Sequence, residues 1–277
     1  MPAKPTSTAT SGAAPLLRRD AVDPHVLESV RGSQAGRDSP VCELIQDGEV
    51  LIAVLQGGPW HGKDCENQLT WDMFAGLSTA LDKAEESQSA LVITSKGKWF
   101  SNGLCVEAME PRHGDAADEY VETFYRLLGR FLSTPVPVVA AINGHAFAGG
   151  FLLAMSCDFR VMTDGLGLLC MPEVDMQGRV QPGRFAAADR QMLTVLQNKL
   201  PPLMVRDIML QGKRLAPQEA HLRGIIDDIV APEHVLPVAM MVARRWAAKQ
   251  PATFGVLKRE ISRDAIAILD PPRQSRL

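Results

Sequence analysis

The sequence has no long apolar run, and this absence sets the first limit on what the chain can be. None of its hydrophobic stretches reaches the roughly 18 residues that a membrane-spanning helix needs. Its six histidines include no His-x-x-x-His pair, so no helical metal site is indicated. The formal net charge is −3, which gives no reason to expect a nucleic-acid partner. Membrane spans, metal centres and nucleic-acid binding are therefore not expected.

Cysteine is scarce and irregularly placed. The five cysteines show no Cys-x-x-Cys spacing, which argues against a zinc site or a disulfide framework. We expect reduced thiols, most of them buried. With 277 residues, 46% hydrophobic and 22% charged, the chain has ample core for one large domain or two small ones.

The chain divides into four predicted parts. Residues 1–39 are rich in Pro, Ala, Ser, Thr, Gly and Arg with little apolar periodicity, so a mobile extension is expected. Residues 40–200 alternate strand and helix patterns, which predicts an α/β fold with parallel sheet. Residues 201–268 are mostly helical in pattern, and residues 269–277 form a short tail.

Local patterns predict the individual elements. Asp47-Gly48 lies between two apolar runs and indicates a hairpin. Strands are predicted over 41–46, 50–56, 90–94, 137–142, 158–163 and 166–171, and a short apolar run over 225–230. Helices are predicted over 70–86, 116–132, 184–198, 202–210, 217–223, 235–248 and 253–268.

Two glycine-containing turns follow buried strands. One covers residues 99–104, and the other covers residues 143–150. Gly149 has no side chain, so its backbone N–H can approach a phosphate or an oxyanion; the alternative is a tight strand–helix joint without a ligand. Two such turns can direct N–H groups at one carbonyl oxygen, which is the construction of an oxyanion hole.

The sequences KWFSNGL (98–104) and PVVAAINGHAFAGGFLLAMSCDFRV (137–161) resemble the crotonase, or enoyl-CoA hydratase/isomerase, superfamily. The resemblance runs from about residue 41 to about 229. ALVITSKGKWFSNGL and MPEVDM are most similar to plant-type peroxisomal Δ3,Δ2-enoyl-CoA isomerases. The resemblance implies a crotonase-like spiral of ββα turns, followed by C-terminal helices that build a trimer or a hexamer.

The resemblance also implies three catalytic positions. Leu104 and Gly149 match the residues whose backbone N–H groups bind the thioester oxygen in this family. Glu173 matches the catalytic glutamate. Its apolar neighbours would desolvate the carboxylate and raise its pKa, which suits proton transfer near neutral pH; the alternative is a solvated carboxylate at a strand end.

Leu152 decides the expected reaction. Hydratases of the family carry a second glutamate at this position, and dienoyl-CoA isomerases carry an aspartate there and another at the position of Gln181. With a single carboxylate, the resemblance implies a 1,3-proton shift, and Leu152 is expected to line an apolar slot for the acyl chain. Further contacts with the substrate are expected from the turn residues Ser101, Asn102 and Gly103 and from Lys98.

Two departures from the family pattern leave alternatives open. Cys105 replaces a frequent acidic residue; it can be a nucleophile at a helix N-terminus or a packing cysteine, and the second role is expected. Residues 176–184 replace the usual Gly-Leu-Pro-like segment.

His145 is interpreted as a turn residue rather than a base, and Asn143 and Asp158 as hydrogen-bonding residues of the fold.

The expected function is a Δ3,Δ2-enoyl-CoA isomerase of unsaturated fatty-acid β-oxidation. The coenzyme A would belong to the substrate, and no other cofactor or metal is expected. Ser275-Arg276-Leu277 resembles the peroxisomal address, so binding to the import receptor and a peroxisomal location are expected. The alternatives are an enoyl-CoA hydratase, a CoA-thioester hydrolase, or a non-catalytic protein that binds acyl-CoA or a partner chain.

Overall fold

A computed structural model describes residues 22–31, 39–57, 66–109, 114–165, 167–176 and 186–271, without the side chains of 186–189. Most of the predicted extension, the divergent segment 177–184 and the terminal tripeptide 275–277 lie outside these residues. The sequence interpretations of those segments stay predictions. In the described part of the chain, no helix has the length and apolarity needed to cross a membrane.

Helices and strands alternate through the first two thirds of the described chain, and helices dominate the last third. In order they are α1 (Pro24–Arg31), β1 (Cys42–Asp47), β2 (Val50–Leu55), α2 (Trp71–Glu86), β3 (Ala90–Ser95), β4 (Trp99–Ser101), α3 (Asp115–Ser133), β5 (Val138–Ile142), β6 (His145–Phe147), α4 (Gly149–Ser156), β7 (Phe159–Thr163), β8 (Leu169–Cys170), α5 (Ala186–Gln197), α6 (Pro202–Gln211), α7 (Pro217–Leu222), β9 (Asp228–Val230), α8 (Val235–Ala247), α9 (Pro251–Ile261) and α10 (Arg263–Leu269).

The larger sheet has six strands in the order β1-β2-β3-β5-β7-β9. β1 and β2 form the predicted antiparallel hairpin, with Asp47 paired to Val50, and the remaining neighbours are parallel. Parallel neighbours need crossover connections, which α2, α3 and α4 supply. The predicted α/β class is therefore confirmed.

The core lies on both faces of this sheet, because successive strand residues point to opposite sides. In β2, Leu51, Ala53 and Leu55 belong to the main cluster, which α2, α3 and α4 cover, whereas the intervening residues face a second cluster beneath α8. Burial on both faces explains why β2, β3 and β5 read as continuous apolar runs.

A second, smaller sheet has three parallel strands in the order β4-β6-β8. Its strands have only two or three residues each. Phe100, Ala146 and Leu169 are fully buried against the main cluster. This packing fixes the register of very short strands, which have too few hydrogen bonds to do so alone.

Two sequence expectations were wrong. Residues 22–31 are not a mobile extension: Val26 of α1 and Val22, just before the helix, are buried in the second cluster. The single helix expected over 253–268 is two helices, which meet at the buried Ser262.

A buried ion pair ties the C-terminal helices to the larger sheet. The Lys258 ammonium in α9 lies 2.6 Å from the Asp158 carboxylate and donates to the Val136 carbonyl at 3.1 Å. Asp158 also accepts the Val138 N–H at 2.8 Å, at the start of β5. The expected role of Asp158 in supporting the fold is confirmed.

Replacing Lys258 by Met should destabilise the protein by about 3 kcal/mol, because the Asp158 carboxylate would stay buried without its cation. Urea unfolding monitored by circular dichroism measures the change. Lys249→Met, at an exposed position, is the control and should have little effect. A loss below about 1 kcal/mol for the Lys258 variant would contradict this account.

Candidate active site

All three strands of the smaller sheet end at predicted site residues. β4 ends at Ser101, just before Leu104; β6 ends at Phe147, just before Gly149; and β8 ends at Cys170, just before Glu173. The strands are parallel neighbours, so their carboxyl ends meet at one edge. The structure therefore brings Leu104, Gly149 and Glu173 to the same edge of one sheet.

The turns that carry Leu104 and Gly149 touch through their backbones. A Cβ atom on Gly103, which has φ +90°, would lie 2.7 Å from the Gly149 nitrogen. A Cβ atom on Gly149 would lie 3.3 Å from the Leu104 nitrogen. Side chains at either glycine would push the turns apart, so glycine is what allows the two backbone N–H groups to lie side by side.

Neither N–H group is used by the rest of the described protein. Gly149 opens α4, and the first N–H groups of a helix have no partner within it. No described residue accepts a hydrogen bond from the N–H of Leu104 or Gly149. Two adjacent donors are therefore available to one acceptor from outside the chain.

Ala148 connects the helix start to the strand that leads to Glu173. Its φ is +47°, an uncommon conformation for a residue with a side chain. Its N–H donates to the Cys170 carbonyl at 2.8 Å. This hydrogen bond fixes the start of α4 relative to the end of β8. It also helps to hold Ala148 in its strained backbone conformation.

Asn67 organises the Leu104 turn, and the sequence analysis missed it. Its buried amide donates to the Lys96 and Trp99 carbonyls at 3.1 and 2.7 Å. Its own carbonyl accepts the Ser101 hydroxyl at 2.7 Å, and that hydroxyl accepts the Gly103 N–H at 3.1 Å. The φ of Asn67 is +48°. Asparagine adopts positive φ more readily than most residues. The residue type is therefore the one sequence signal that could have indicated a special backbone position here.

The expected substrate contacts differ in how they are placed. Ser101 is fully buried and its hydroxyl is engaged inside the turn, so its side chain supports the turn rather than facing a ligand. The Asn102 amide donates to the Glu66 carboxylate at 2.5 Å. Lys98 is exposed beside the Trp99 strand. Leu152 is 2% exposed within the main core cluster; contact of Leu152 and Lys98 with substrate stays a prediction.

Glu173 begins a short 3₁₀ turn, Glu173–Asp175, directly after Pro172. Its Oε2 atom is buried and has no hydrogen-bond partner among the described residues. Burial disfavours the charged form and raises the pKa of Glu173 to about 7. The carboxylate is thus desolvated, as its apolar sequence neighbours predicted, and it can exchange a proton near neutral pH.

The C-terminal half of the chain supports the Glu173 turn. Gly212 ends α6 in the left-handed conformation, with φ +55°, and a Cβ atom there would lie 2.7 Å from the Asp175 carboxylate. Leu215 exchanges two backbone hydrogen bonds with Leu169 of β8, at 2.9 and 3.0 Å. The segment after α6 therefore braces the strand and the turn that carry the acid.

Cys105 and His145 do not have the properties of catalytic groups. Burial is the main cause that raises the pKa of the Cys105 thiol, so the thiol stays protonated, which agrees with a packing role. Burial is also the main cause that lowers the pKa of His145, whose ring packs 4.7 Å from that of Trp99 and 5.7 Å from that of Phe147. Asn143 bonds the Ser95 hydroxyl and the Gly97 carbonyl, so its role in the turn is confirmed.

The sequence of the whole chain is similar to a known protein family. The family model described as enoyl-CoA hydratase/isomerase matches residues 61–274. The chain belongs to this family. The resemblance to the crotonase superfamily is thereby confirmed, and structures of the family share the fold.

Relatives in this family carry several names. The peroxisomal enoyl-CoA delta isomerase 2 of Arabidopsis thaliana is 30% identical over 220 residues, which cover 76% of this chain and 86% of the relative. The carnitinyl-CoA dehydratase of Salmonella arizonae is 31% identical over 174 residues, 62% of each chain. Family membership therefore narrows the chemistry but does not select one reaction.

Solved structures of an isomerase and of a hydratase both share the fold of this chain. The apo structure of the Mtb enoyl-CoA isomerase superposes with a TM-score of 0.72 at 25% identity, covering 83% of this chain and 94% of that one. An enoyl-CoA hydratase from Mycobacterium marinum gives a TM-score of 0.72 at 26% identity, covering 83% and 95%. The crotonase fold accounts for most of the chain.

In the part that the structure describes, no three His, Cys, Asp or Glu side chains are grouped as metal ligands would be.

Glu173→Gln should stabilise the folded protein above pH 7 by up to about 3 kcal/mol, because the variant avoids burying a charge. The folded-state pKa lies above the unfolded value, so the gain should shrink as pH falls from about 7 to 4.5 and vanish below that. Urea unfolding across this range measures it. Asp175→Asn, an exposed carboxylate in the same turn, is the matched control, and an equal effect there would contradict the assignment to Glu173.

Gly103→Ala should reduce enoyl-CoA turnover by more than about 100-fold, because the new Cβ displaces the two N–H donors. Steady-state kinetics measure the loss. Gly224→Ala is the control: Gly224 also has a positive φ, +71°, but apart from its chain neighbours no atom of the described residues lies within 4 Å of a Cβ there. Similar losses in both variants would attribute the effect to backbone strain instead of the contact.

Proposed function

We propose that the protein is a Δ3,Δ2-enoyl-CoA isomerase, which moves the double bond of a 3-enoyl-CoA to the 2-position. The observation that carries this proposal is the buried Oε2 atom of Glu173, which has no hydrogen-bond partner among the described residues, at the sheet edge where the N–H groups of Leu104 and Gly149 lie. The names of the Arabidopsis relatives support it.

The chemistry needs one group that both removes and returns a proton. The Glu173 carboxylate takes a proton from C2 of the 3-enoyl thioester, and the electron pair delocalises over the two alkene carbons and the carbonyl. The protonated Glu173 then returns the proton to C4, and the double bond forms between C2 and C3. The carboxylate is regenerated, so no other acid or base is consumed. A pKa of about 7 suits both halves of this exchange.

The charge of the dienolate accumulates on the thioester oxygen. The N–H groups of Leu104 and Gly149 are preorganised donors for that oxygen. One such donor is typically worth about 10²–10³ in rate, and a positioned acid–base group contributes a further factor of about 10²–10⁴. The two backbone donors and one carboxylate therefore supply the effects that this reaction requires.

Leu152 supports isomerisation over hydration. It lies in α4, one turn after Gly149, and is 2% exposed. An aliphatic side chain there cannot orient or activate a water molecule, whereas the hydration reaction needs a group that does so. The relatives named dehydratase and hydratase keep hydration as the alternative outcome of the assay.

The remaining parts of the proposal concern substrate, assembly and location. Coenzyme A enters as part of the substrate, and the reaction needs no redox cofactor or metal. Large apolar side chains exposed on α9, Val256, Leu257 and Ile261, support a trimer or hexamer built by the C-terminal helices. The peroxisomal name of the Arabidopsis relative and the terminal tripeptide support peroxisomal import through its receptor.

Incubation with a 3-enoyl-CoA should give the 2-trans-enoyl-CoA, identified by chromatography and proton NMR. Glu173→Gln should lower kcat by about 10³-fold or more, because the amide cannot accept the proton. Circular dichroism should show that this variant is folded. Rapid conversion of a 2-enoyl-CoA to the 3-hydroxyacyl-CoA would instead identify a hydratase, release of free CoA a hydrolase, and tight acyl-CoA binding without turnover a non-catalytic protein.

A further inference from the structure

We propose that Tyr120 is a positioning residue that holds the Leu104 N–H in place by joining the two chain segments on either side of it. The inference rests on the proposed function, because it assigns Tyr120 to the oxyanion donor of that reaction. Tyr120 comes from α3, which contributes no other residue to the site as described above.

The Tyr120 hydroxyl lies between two backbone groups. It accepts the N–H of Cys105, the residue directly after Leu104, at 3.0 Å. It donates its own hydrogen to the Leu69 carbonyl. Donor and acceptor capacity of the hydroxyl are thus both used on backbone, and the hydroxyl bridges the Leu104 turn to the segment before α2.

This bridge completes a very short β-ladder. Leu69 and Leu104 form an isolated parallel bridge, and the Leu69 N–H donates to the Gly103 carbonyl at 2.8 Å. In a parallel bridge the second connection runs from the residue after Leu104 to the Leu69 carbonyl. The Tyr120 hydroxyl binds both of these groups. The peptide of Leu104 is therefore held from both sides, by Gly103 and by Cys105.

The ring of Tyr120 is itself fixed by packing. Tyr120 is 1% exposed. Its ring centroid lies 5.1 Å from that of Phe74 and 5.3 Å from that of Trp71, both in α2. A rigid ring carries a hydroxyl with little positional freedom, so the bonds to Leu69 and Cys105 can define the direction of the peptide between them.

The direction of the Leu104 N–H matters because the donor must point at the oxygen where charge develops. A displacement of about 1 Å at such a group can cost about 100-fold in rate. Without the hydroxyl, the Cys105 N–H and the Leu69 carbonyl lose the partner they share, and a rearrangement that draws them closer together moves Leu104. The contribution of Tyr120 therefore passes entirely through that peptide.

Tyr120→Phe tests the inference because it removes a single oxygen atom. kcat with a 3-enoyl-CoA should fall by about 10- to 100-fold while KM changes by less than about threefold, since binding of the CoA portion is untouched. The second readout is the infrared carbonyl band of a saturated acyl-CoA labelled with ¹³C at the thioester. Binding to the unaltered protein should lower its frequency, and in the variant the band should return toward that of free ligand.

Tyr125→Phe is the matched control. The chain has two tyrosines, both in α3, and Tyr125 makes neither of the two bonds described for Tyr120. This variant should keep kcat within about twofold of the unaltered protein and leave the carbonyl band unchanged. A Tyr120→Phe protein with the same behaviour as the control would overturn the inference.

The results separate this inference from the proposed function. If Glu173→Gln removes turnover but Tyr120→Phe does not, only the role of Tyr120 is lost. If Glu173→Gln keeps full turnover, the proposed function fails, and the carbonyl band still decides whether Tyr120 directs the donor.

A second variant covers a failure of Tyr120→Phe to fold. Global replacement of tyrosine by 3,5-difluorotyrosine in the Tyr125→Phe protein labels residue 120 alone and keeps its hydroxyl. The more acidic phenol donates more strongly to Leu69 and accepts more weakly from Cys105, so the carbonyl band should shift. An unchanged band and an unchanged kcat would overturn the inference in this arm.

Discussion

The candidate site depends on one close approach between two backbones. Gly103 and Gly149 come from different turns, and a Cβ atom on Gly103 would collide with the Gly149 nitrogen. Hydrogen bonding within the Leu104 turn, the strained conformation of Ala148 and the packing of Phe100 and Ala146 all serve to maintain this contact. It places two N–H donors next to each other without using any side chain to bind the ligand.

The sequence predicted the parts of the structure that are set by local patterns. The hairpin around Asp47-Gly48 follows from turn preferences, and the helix predicted over 70–86 follows from its local pattern; both were found. The desolvation of Glu173 was also predictable, because its apolar neighbours are adjacent in the chain. For Leu104 and Gly149, the glycine-rich turns indicated the chemistry, and the family resemblance chose the residues.

What the sequence did not predict depends on contacts between distant segments. Asn67 and Tyr120 lie far along the chain from the groups they bond, and nothing in their own sequence neighbourhoods marks them as partners of the Leu104 turn. Ser101 is a different case: its position in the motif suggested contact with a ligand, and its hydroxyl donates to a carbonyl within the protein. Likewise, α1 was missed because a helix of eight residues that buries Val26 carries only a weak periodic pattern.

The position of Gly212 against Asp175 has a consequence for how such chains can diverge. The acid stands on a turn whose shape is matched to the end of α6 and to the backbone of Leu215. A C-terminal region taken from another family member would therefore have to reproduce the contacts of Gly212 with Asp175 and of Leu215 with Leu169. Recombination at this junction would separate the Glu173 turn from the end of α6 that packs against it. Substitutions in one of these two regions therefore have to be matched by substitutions in the other.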